Sequence, residues 1–246
     1  MATLAKGLSV LSSFGEQRPA MTLSEAAEVT GLSRAAARRV LRTLAGLGYV
    51  VQTGRHFSLA PRILELGFAY LSTQSWIDRA EPLMKELSHT LHESCSAAIL
   101  QGGEIVYVAR MPAPHRIMST TIAIGTRLPA AYTSLGRIQL GFLDEAELRR
   151  RLAALPLVAH TPRSIVTLDG LVERIAGDHA QGYSIIDEEL EKGLRALAVP
   201  IVTRGGVNIA AINLSVHSSR TSRTELRDRF LPELRAVARQ ISQSLP

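Results

Sequence analysis

Three apolar stripes at helical spacing open the chain, and then the period shortens to two. Leu4, Leu8, Leu11 and Phe14 make the first face, and the polar stretch from Gly15 to Ala20 follows it. Thr22-Leu-Ser-Glu25 is a capping box: a hydroxyl placed to accept from an end amide, and a glutamate three residues on to reciprocate. The helix it predicts carries Leu23, Ala26, Ala27 and Val29 and stops at Thr30-Gly31, where glycine can take the left-handed conformation. Leu32 anchors a turn, and Ser33 caps a second helix with Ala37, Val40, Leu41 and Leu44 inward. Gly46-Leu-Gly48 ends it. Tyr49 to Val51 and Arg55 to Leu59 are two short strands about Thr53-Gly54. Two capped helices, a three-residue turn and a hairpin in this order predict a winged helix-turn-helix.

The outward face of the second helix holds Arg34, Arg38 and Arg42 at four-residue spacing, with Arg39 beside them. An arginine-rich amphipathic helix alone is ordinarily a solvated face. As the second helix of a helix-turn-helix it is a reader of DNA, because a guanidinium matches a phosphate or the O6/N7 edge of guanine, and the N-terminal end of that helix enters the major groove. Ser33 and Arg34 are the expected base readers. Arg38, Arg39 and Arg42 are placed for bases or flanking phosphates, and Arg55 sits at the wing tip.

Beyond the wing, Pro61 suits the first turn of a helix carrying Ile63, Leu64, Leu66, Tyr70 and Leu71, and a further helix from about Trp76 to His92 follows, with Pro82 near its start. From Ser96 the pattern becomes strand-like. Ser96–Leu100 and Ile105–Ala109 flank Gln101-Gly-Gly-Glu104, and Met118–Ile124 is a third β-rich run. Helices at about 134–142, 145–154 and 168–181 come next, then strands at 183–187, 196–202 and 208–216, and a last helix at 223–244. Strands split around a helical middle predict one antiparallel sheet with flanking helices. The expected class is α+β: a winged helix-turn-helix over residues 1–60, linker helices over 61–92, and a GAF/PAS-like sensor domain over 93–246.

Composition narrows the function. The chain has 246 residues, 46% hydrophobic, with a net charge of +6, a basic excess compatible with nucleic acid but concentrated locally in one helix. Cys95 is the sole cysteine, which excludes an internal disulfide and a cysteine-based zinc cluster. Apolar runs are far shorter than the roughly 20 residues of a membrane helix, and Lys6, Ser9, Ser12 and Ser13 interrupt any signal-peptide core, so a cytoplasmic protein is expected. An enzyme is the rival class. Its signatures are missing: no Gly-x-Ser-x-Gly elbow, His-Glu-x-x-His, phosphate loop or dinucleotide fingerprint occurs. His89 and His92 share a helix face without a third ligand, so no metal or cofactor is expected.

Taken together, the winged helix, the Phe57-Ser-Leu59 to Leu66-Gly67 junction, Gly125-Thr-Arg-Leu-Pro129 with Thr133-Ser-Leu-Gly136, Gly182-Tyr183 with Asp187-Glu-Glu189, and Gly193-Leu-Arg-Ala-Leu-Ala198 resemble the IclR family of bacterial transcriptional regulators over essentially the whole length. Arg116-Ile-Met-Ser119, Arg127-Leu-Pro-Ala130 and Thr133-Ser-Leu-Gly-Arg137 are similar to the branch governing the β-ketoadipate pathway, the protocatechuate and 4-hydroxybenzoate regulators. Ile186 and Ala196 stand where some glyoxylate-type members are more polar, a departure that argues against a small keto acid.

The resemblance implies a C-terminal effector pocket at Leu128, Thr133, Ser134, Leu194, Asn213 and Ser215. The strand pattern agrees in part, since Asn213 and Ser215 share one face of an otherwise apolar strand; a wet sheet face and a ligand site are both open readings. Arg127 has two readings as well, a carboxylate partner or a brace for its own loop. Asp187, Glu188 and Glu189 fit a turn or capping cluster better than catalytic acids. The expected function is a homodimer or dimer of dimers that binds an inverted-repeat operator and a small aromatic or dicarboxylic acid. The alternative within the class is a regulator whose C-terminal domain only oligomerises.

Overall fold

The computed structural model describes residues 2–113 and 122–245. Its contacts divide into two compact units, one ending at Thr73 and the other beginning at Gln74. The stretch 61–92 is therefore shared between them: its first helix belongs to one unit and its second to the other.

The first unit contains α1 (Ala2–Ser12), β1 (Ala20–Thr22), α2 (Leu23–Thr30), α3 (Arg34–Gly46), β2 (Val50–Thr53), β3 (His56–Leu59) and α4 (Ile63–Ser72). The capping box closes as its sequence requires, with Glu25 N–H donating to Thr22 Oγ1 at 3.3 Å and Thr22 N–H to a Glu25 carboxylate oxygen at 2.6 Å. These bonds, the backbone one first, hold the Glu25 carboxyl below its usual range. Gly31, at φ 65°, supplies the left-handed cap of α2, and Ser33 Oγ accepts from Ala36 N–H at 3.2 Å to start α3. Val10, Met21, Ala26, Leu41, Val50 and Phe57 pack into one core between the helices and a small sheet of order β1-β3-β2. Met21 lies opposite Phe57 in that sheet. β1 has no sequence signal of its own, being three residues folded into the capping box. Nothing on α4 is buried, although Leu64, Leu66, Phe68 and Tyr70 are large and apolar.

In the second unit a six-stranded antiparallel sheet has the order β6-β5-β4-β9-β8-β7. The strands are β4 (Ser94–Gln101), β5 (Glu104–Met111), β6 (Arg127–Pro129), β7 (Ser184–Asp187), β8 (Leu194–Val202) and β9 (Asn208–His217). One face packs on α5 (Ser75–Leu91) and α10 (Leu231–Gln243). Against the other lie α6 (Ser134–Leu140), reached by a 3-10 turn (Ala130–Tyr132), and behind it α7 (Glu145–Ala153) and α8 (Leu168–Gln181). The core on that side contains Ile105, Tyr107, Tyr132, Leu135, Ile138, Leu171 and Ile175. Gly136 is required there, because a Cβ would come within 2.2 Å of the Ala130 carbonyl oxygen, so α6 can lie on the preceding turn only if residue 136 has no side chain.

Two predicted elements differ. Of the run Met118–Ile124, residues 118–121 lie outside the described residues and 122–124 are not strand; the edge strand next to β5 is Arg127–Pro129. The single C-terminal helix is divided into α9 (Arg223–Glu225), a π turn (Leu226–Phe230) and α10. Pro232, in the first turn of α10, has no N–H for the carbonyl four residues back, and the chain widens where that bond is missing.

Candidate functional sites

The first site is a groove on the N-terminal unit. Arg34, Arg38 and Arg42 from α3 and Arg55 from the wing face one recess of about 600 Å³, with Gln52 and the start of α2 completing its walls. All four arginines are exposed, as is Arg39, which stands outside the recess. The ion pair described in this unit is Arg62 with Glu65, at 3.4 Å, so no described carboxylate neutralises the arginine face. Ser33 is exposed but its hydroxyl already caps α3. Gln52, Thr22 and Ser24 were not singled out as groove residues by sequence, where Thr22 was read only as a helix cap; their signal was position next to a helix start and a wing, which becomes visible only when β1 brings the two together. Exposed guanidinium groups with no described carboxylate partner are chemically suited to phosphates.

The second site is a cavity of about 220 Å³ in the C-terminal unit, on the sheet face that carries α6. Its walls are mostly apolar, with Ile122, Leu128, Leu190, Leu194 and Ile186 around it and Tyr107 beside them. The sequence-predicted residues Leu128, Thr133, Ser134, Leu194, Asn213 and Ser215 are all brought to it. Sheet register explains the pairing: Ala198 and Ala196 on β8 stand opposite Asn213 and Ser215 on β9, and Ser96 on β4 stands opposite Asn213. Small neighbours leave the space.

The polar groups of this cavity differ in how they are occupied. Thr133 Oγ1 is spent, accepting from Gly136 N–H at 3.0 Å as the cap of α6 and donating to Ala130 O at 3.3 Å. Asn213 Nδ2 donates to Ser215 Oγ at 3.2 Å. Asn213 Oδ1 and Ser134 Oγ are buried without any partner among the described residues. Unpaired buried polar atoms cost free energy, about 1 to 3 kcal/mol each, unless something else completes them.

Arg127 does not reach the cavity. Its Nε donates to Glu104 at 2.8 Å and its Nη1 to Gln101 Oε1 at 2.6 Å, so of its two readings the brace is the one seen: it ties β6 to the β4–β5 hairpin. Among the described residues, the arginine that lines the cavity is Arg110, on β5, which sequence reasoning passed over. Burial lowers the pKa of its guanidinium, the Tyr107 phenol partly offsetting this, and its side-chain bond goes to Ser96 Oγ at 3.4 Å. Burial also pushes the Tyr107 phenol up to about 12, so that side chain is neutral. The overlooked signal was an arginine closing the apolar run Ile105–Ala109.

Asp187 and Glu189 are held not in a helix cap but in ion pairs that no local pattern gives. Asp187 meets Arg163 at 2.9 Å and Arg195 at 2.6 Å. Glu189 and Arg137 form a two-pronged pair, both side chains buried, and Arg137 Nε also donates to Ala131 O at 2.7 Å. That pair fastens the loop carrying Leu190 and Glu191 to α6, and so joins two walls of the cavity. Burial pushes the Cys95 thiol up to about 12, which leaves it an inert core residue.

A groove of unpaired arginines and, in a separate unit, an apolar cavity with unmatched polar atoms are the two parts of a ligand-responsive DNA-binding protein. Comparison with known proteins agrees. The profile of the IclR helix-turn-helix domain matches residues 3–54, and that of the bacterial transcriptional regulator IclR C-terminal domain matches residues 68–243. The Pca regulon regulatory protein of Pseudomonas putida is 41% identical over 245 residues, all of this chain and 84% of that one. The p-hydroxybenzoate hydroxylase transcriptional activator of Acinetobacter baylyi is 34% identical over 98% of this chain and 90% of its own. A solved structure from Rhodococcus sp. RHA1, described as a transcriptional regulator, is 44% identical with a TM-score of 0.86, covering 100% of this chain and 98% of that one. The chain belongs to the IclR family of bacterial transcriptional regulators and resembles its protocatechuate and hydroxybenzoate branch.

Proposed function

We propose that this regulator is not an enzyme and, in the cytoplasm, binds a two-fold operator as a homodimer or dimer of dimers and answers to an aromatic hydroxy acid held in the C-terminal cavity. The observation that carries the ligand reading is the pair of partnerless buried atoms, Ser134 Oγ and Asn213 Oδ1, in a cavity whose cation among the described residues is Arg110. A guanidinium taken partly out of water is completed by a carboxylate, and an amide oxygen without a donor is completed by a hydroxyl. Between them the aliphatic walls suit a ring. This favours 4-hydroxybenzoate or protocatechuate over β-ketoadipate, which brings no hydroxyl donor. The name of one relative, a p-hydroxybenzoate hydroxylase transcriptional activator, supports the same chemistry.

For the DNA end, Ser33 and Arg34 are the proposed base readers, with Arg38, Arg39, Arg42 and Arg55 on bases or backbone. The apolar face of α4, where Leu64 and Phe68 are 71% and 72% exposed, supports pairing with a second copy, since a two-fold site needs two readers. Calorimetry with the three acids tests the ligand. The hydroxybenzoates binding at micromolar Kd, and β-ketoadipate more weakly, is the expected order; β-ketoadipate binding tightest would overturn it.

A further inference from the structure

A second cleft in the C-terminal unit, of about 210 Å³, shares no lining residue with the effector cavity. It opens between α8, the start of β7 and the α9 turn, and three arginines line it: Arg174, Arg223 and Arg227. Arg174 Nε is shut off from solvent and has no hydrogen-bond partner among the described residues. Arg223 and Arg227 are exposed, and Arg227 meets only its sequence neighbour Asp228, at 2.9 Å through Nε, which leaves the terminal nitrogens of its fork unused in the described contacts. The carboxylate in the cleft, Asp178, is already engaged: Ser184 donates to one oxygen at 2.6 Å and Gln181 to the other at 3.1 Å. Burial raises the Asp178 pKa, with the Ser184 hydrogen bond and the charges of Arg137 and Arg174 opposing it. Arg235 adds a fourth guanidinium at the rim, stacked over Tyr183 and bonded to Gln181 O at 2.8 Å.

A buried guanidinium N–H without an acceptor, flanked by two forks free to turn inward, asks for several anionic oxygens at one place. We infer that this cleft is a second ligand site, which binds a small oxyanion carrying phosphate or clustered carboxylate groups through Arg174, Arg223 and Arg227. The site is independent of the effector reading, because none of these residues touches the other cavity.

Calorimetry of the full chain with pyrophosphate and with citrate tests it, on the wild type, on Arg223→Ala/Arg227→Ala, and on two controls. Arg38→Ala/Arg42→Ala removes charge from the DNA face, and Arg110→Met alters the effector cavity. The expected result is one anion per chain at submillimolar Kd, weakened about tenfold or more in the Arg223/Arg227 variant and unchanged in both controls. Tighter pyrophosphate marks a phosphate ligand and tighter citrate a polycarboxylate, and either supports the site. Because Arg223 and Arg227 are exposed, the variant should melt with the wild type. Binding absent below about 10 mM, or lost in the Arg38/Arg42 variant and kept in the Arg223/Arg227 variant, would overturn the proposal.

Discussion

Replacing Arg110 by methionine separates what the effector cavity does for binding from what it does for folding. Truncating one partner of a hydrogen-bonded charge pair in a desolvated site costs about 2 to 5 kcal/mol of binding. Arg110 is half-buried and its described protein bond, to Ser96 at 3.4 Å, is long, so the lower half of that range applies: about 2 to 3 kcal/mol, or roughly 30- to 150-fold in Kd for a hydroxybenzoate. In the unliganded protein the same group gives up hydration for little return, and methionine fills similar space without a charge. The variant should therefore melt within about 2 °C of the wild type when no acid is present, while the stabilisation that ligand confers disappears. Calorimetry and thermal melting at matched acid concentrations measure both halves. Arg127→Met is the contrast: it breaks an exposed pair worth about 1 kcal/mol or less and should leave the acid's Kd within about threefold of wild type. The reasoning fails if Arg110→Met binds as the wild type does, or if Arg127→Met suffers the greater loss.

Other consequences follow from single contacts. Arg137→Met leaves Glu189 buried and alone and should destabilise the C-terminal unit by about 3 to 5 kcal/mol in urea titration, whereas Arg137→Met/Glu189→Leu should recover much of that loss. Thr22→Ala removes one half of the capping box and should cost about 1 kcal/mol in the N-terminal unit, read by its denaturation midpoint. On DNA, Arg34→Ala should relax base preference at one operator position at a cost of about 1 to 3 kcal/mol, while Arg55→Ala should weaken all sequences alike and flatten the salt dependence, in titrations against single-base variants at two salt concentrations. Gly136→Ala should abolish the compact C-terminal fold or force α6 off the preceding turn, visible as lost near-ultraviolet dichroism and lost acid binding.

Local chemistry made the N-terminal unit legible. Thr22, Glu25, Gly31 and Ser33 fix helix ends by bonds that span only a few residues, and those bonds form as the sequence indicates. The same holds for α8, which runs from Leu168 to Gln181 and stops at Gly182. What stayed hidden depends on pairing across long separations. Arg110 enters the cavity because β5 pairs with β4, with a register shift at Ala97/Ala98, and β4 with β9; nothing within β5 alone says which end faces a void. Arg137 and Glu189 are 52 residues apart, and each alone reads as a surface charge. Arg127 stood in the matching motif, yet its nearest partners, Glu104 and Gln101, were on the hairpin beside it. Family resemblance located six cavity residues, but only geometry shows which of their atoms still lack partners: Thr133 is satisfied, while Ser134 and Asn213 are not.

The central claim is that an aromatic hydroxy acid in the cavity changes how the arginine groove holds DNA. Operator titration of the wild type and of Arg110→Met, with and without saturating 4-hydroxybenzoate, tests it on an operator selected from random duplexes by the protein itself. The account predicts a shift of about tenfold in wild-type operator affinity, equivalent to about 1.4 kcal/mol of coupling, and a much smaller shift in Arg110→Met at the same acid concentration, the shift returning only at roughly 30- to 150-fold more acid, although the variant binds the operator equally well without acid. Equal shifts in both proteins, or acid that binds the wild type and leaves its operator affinity unmoved, would contradict it.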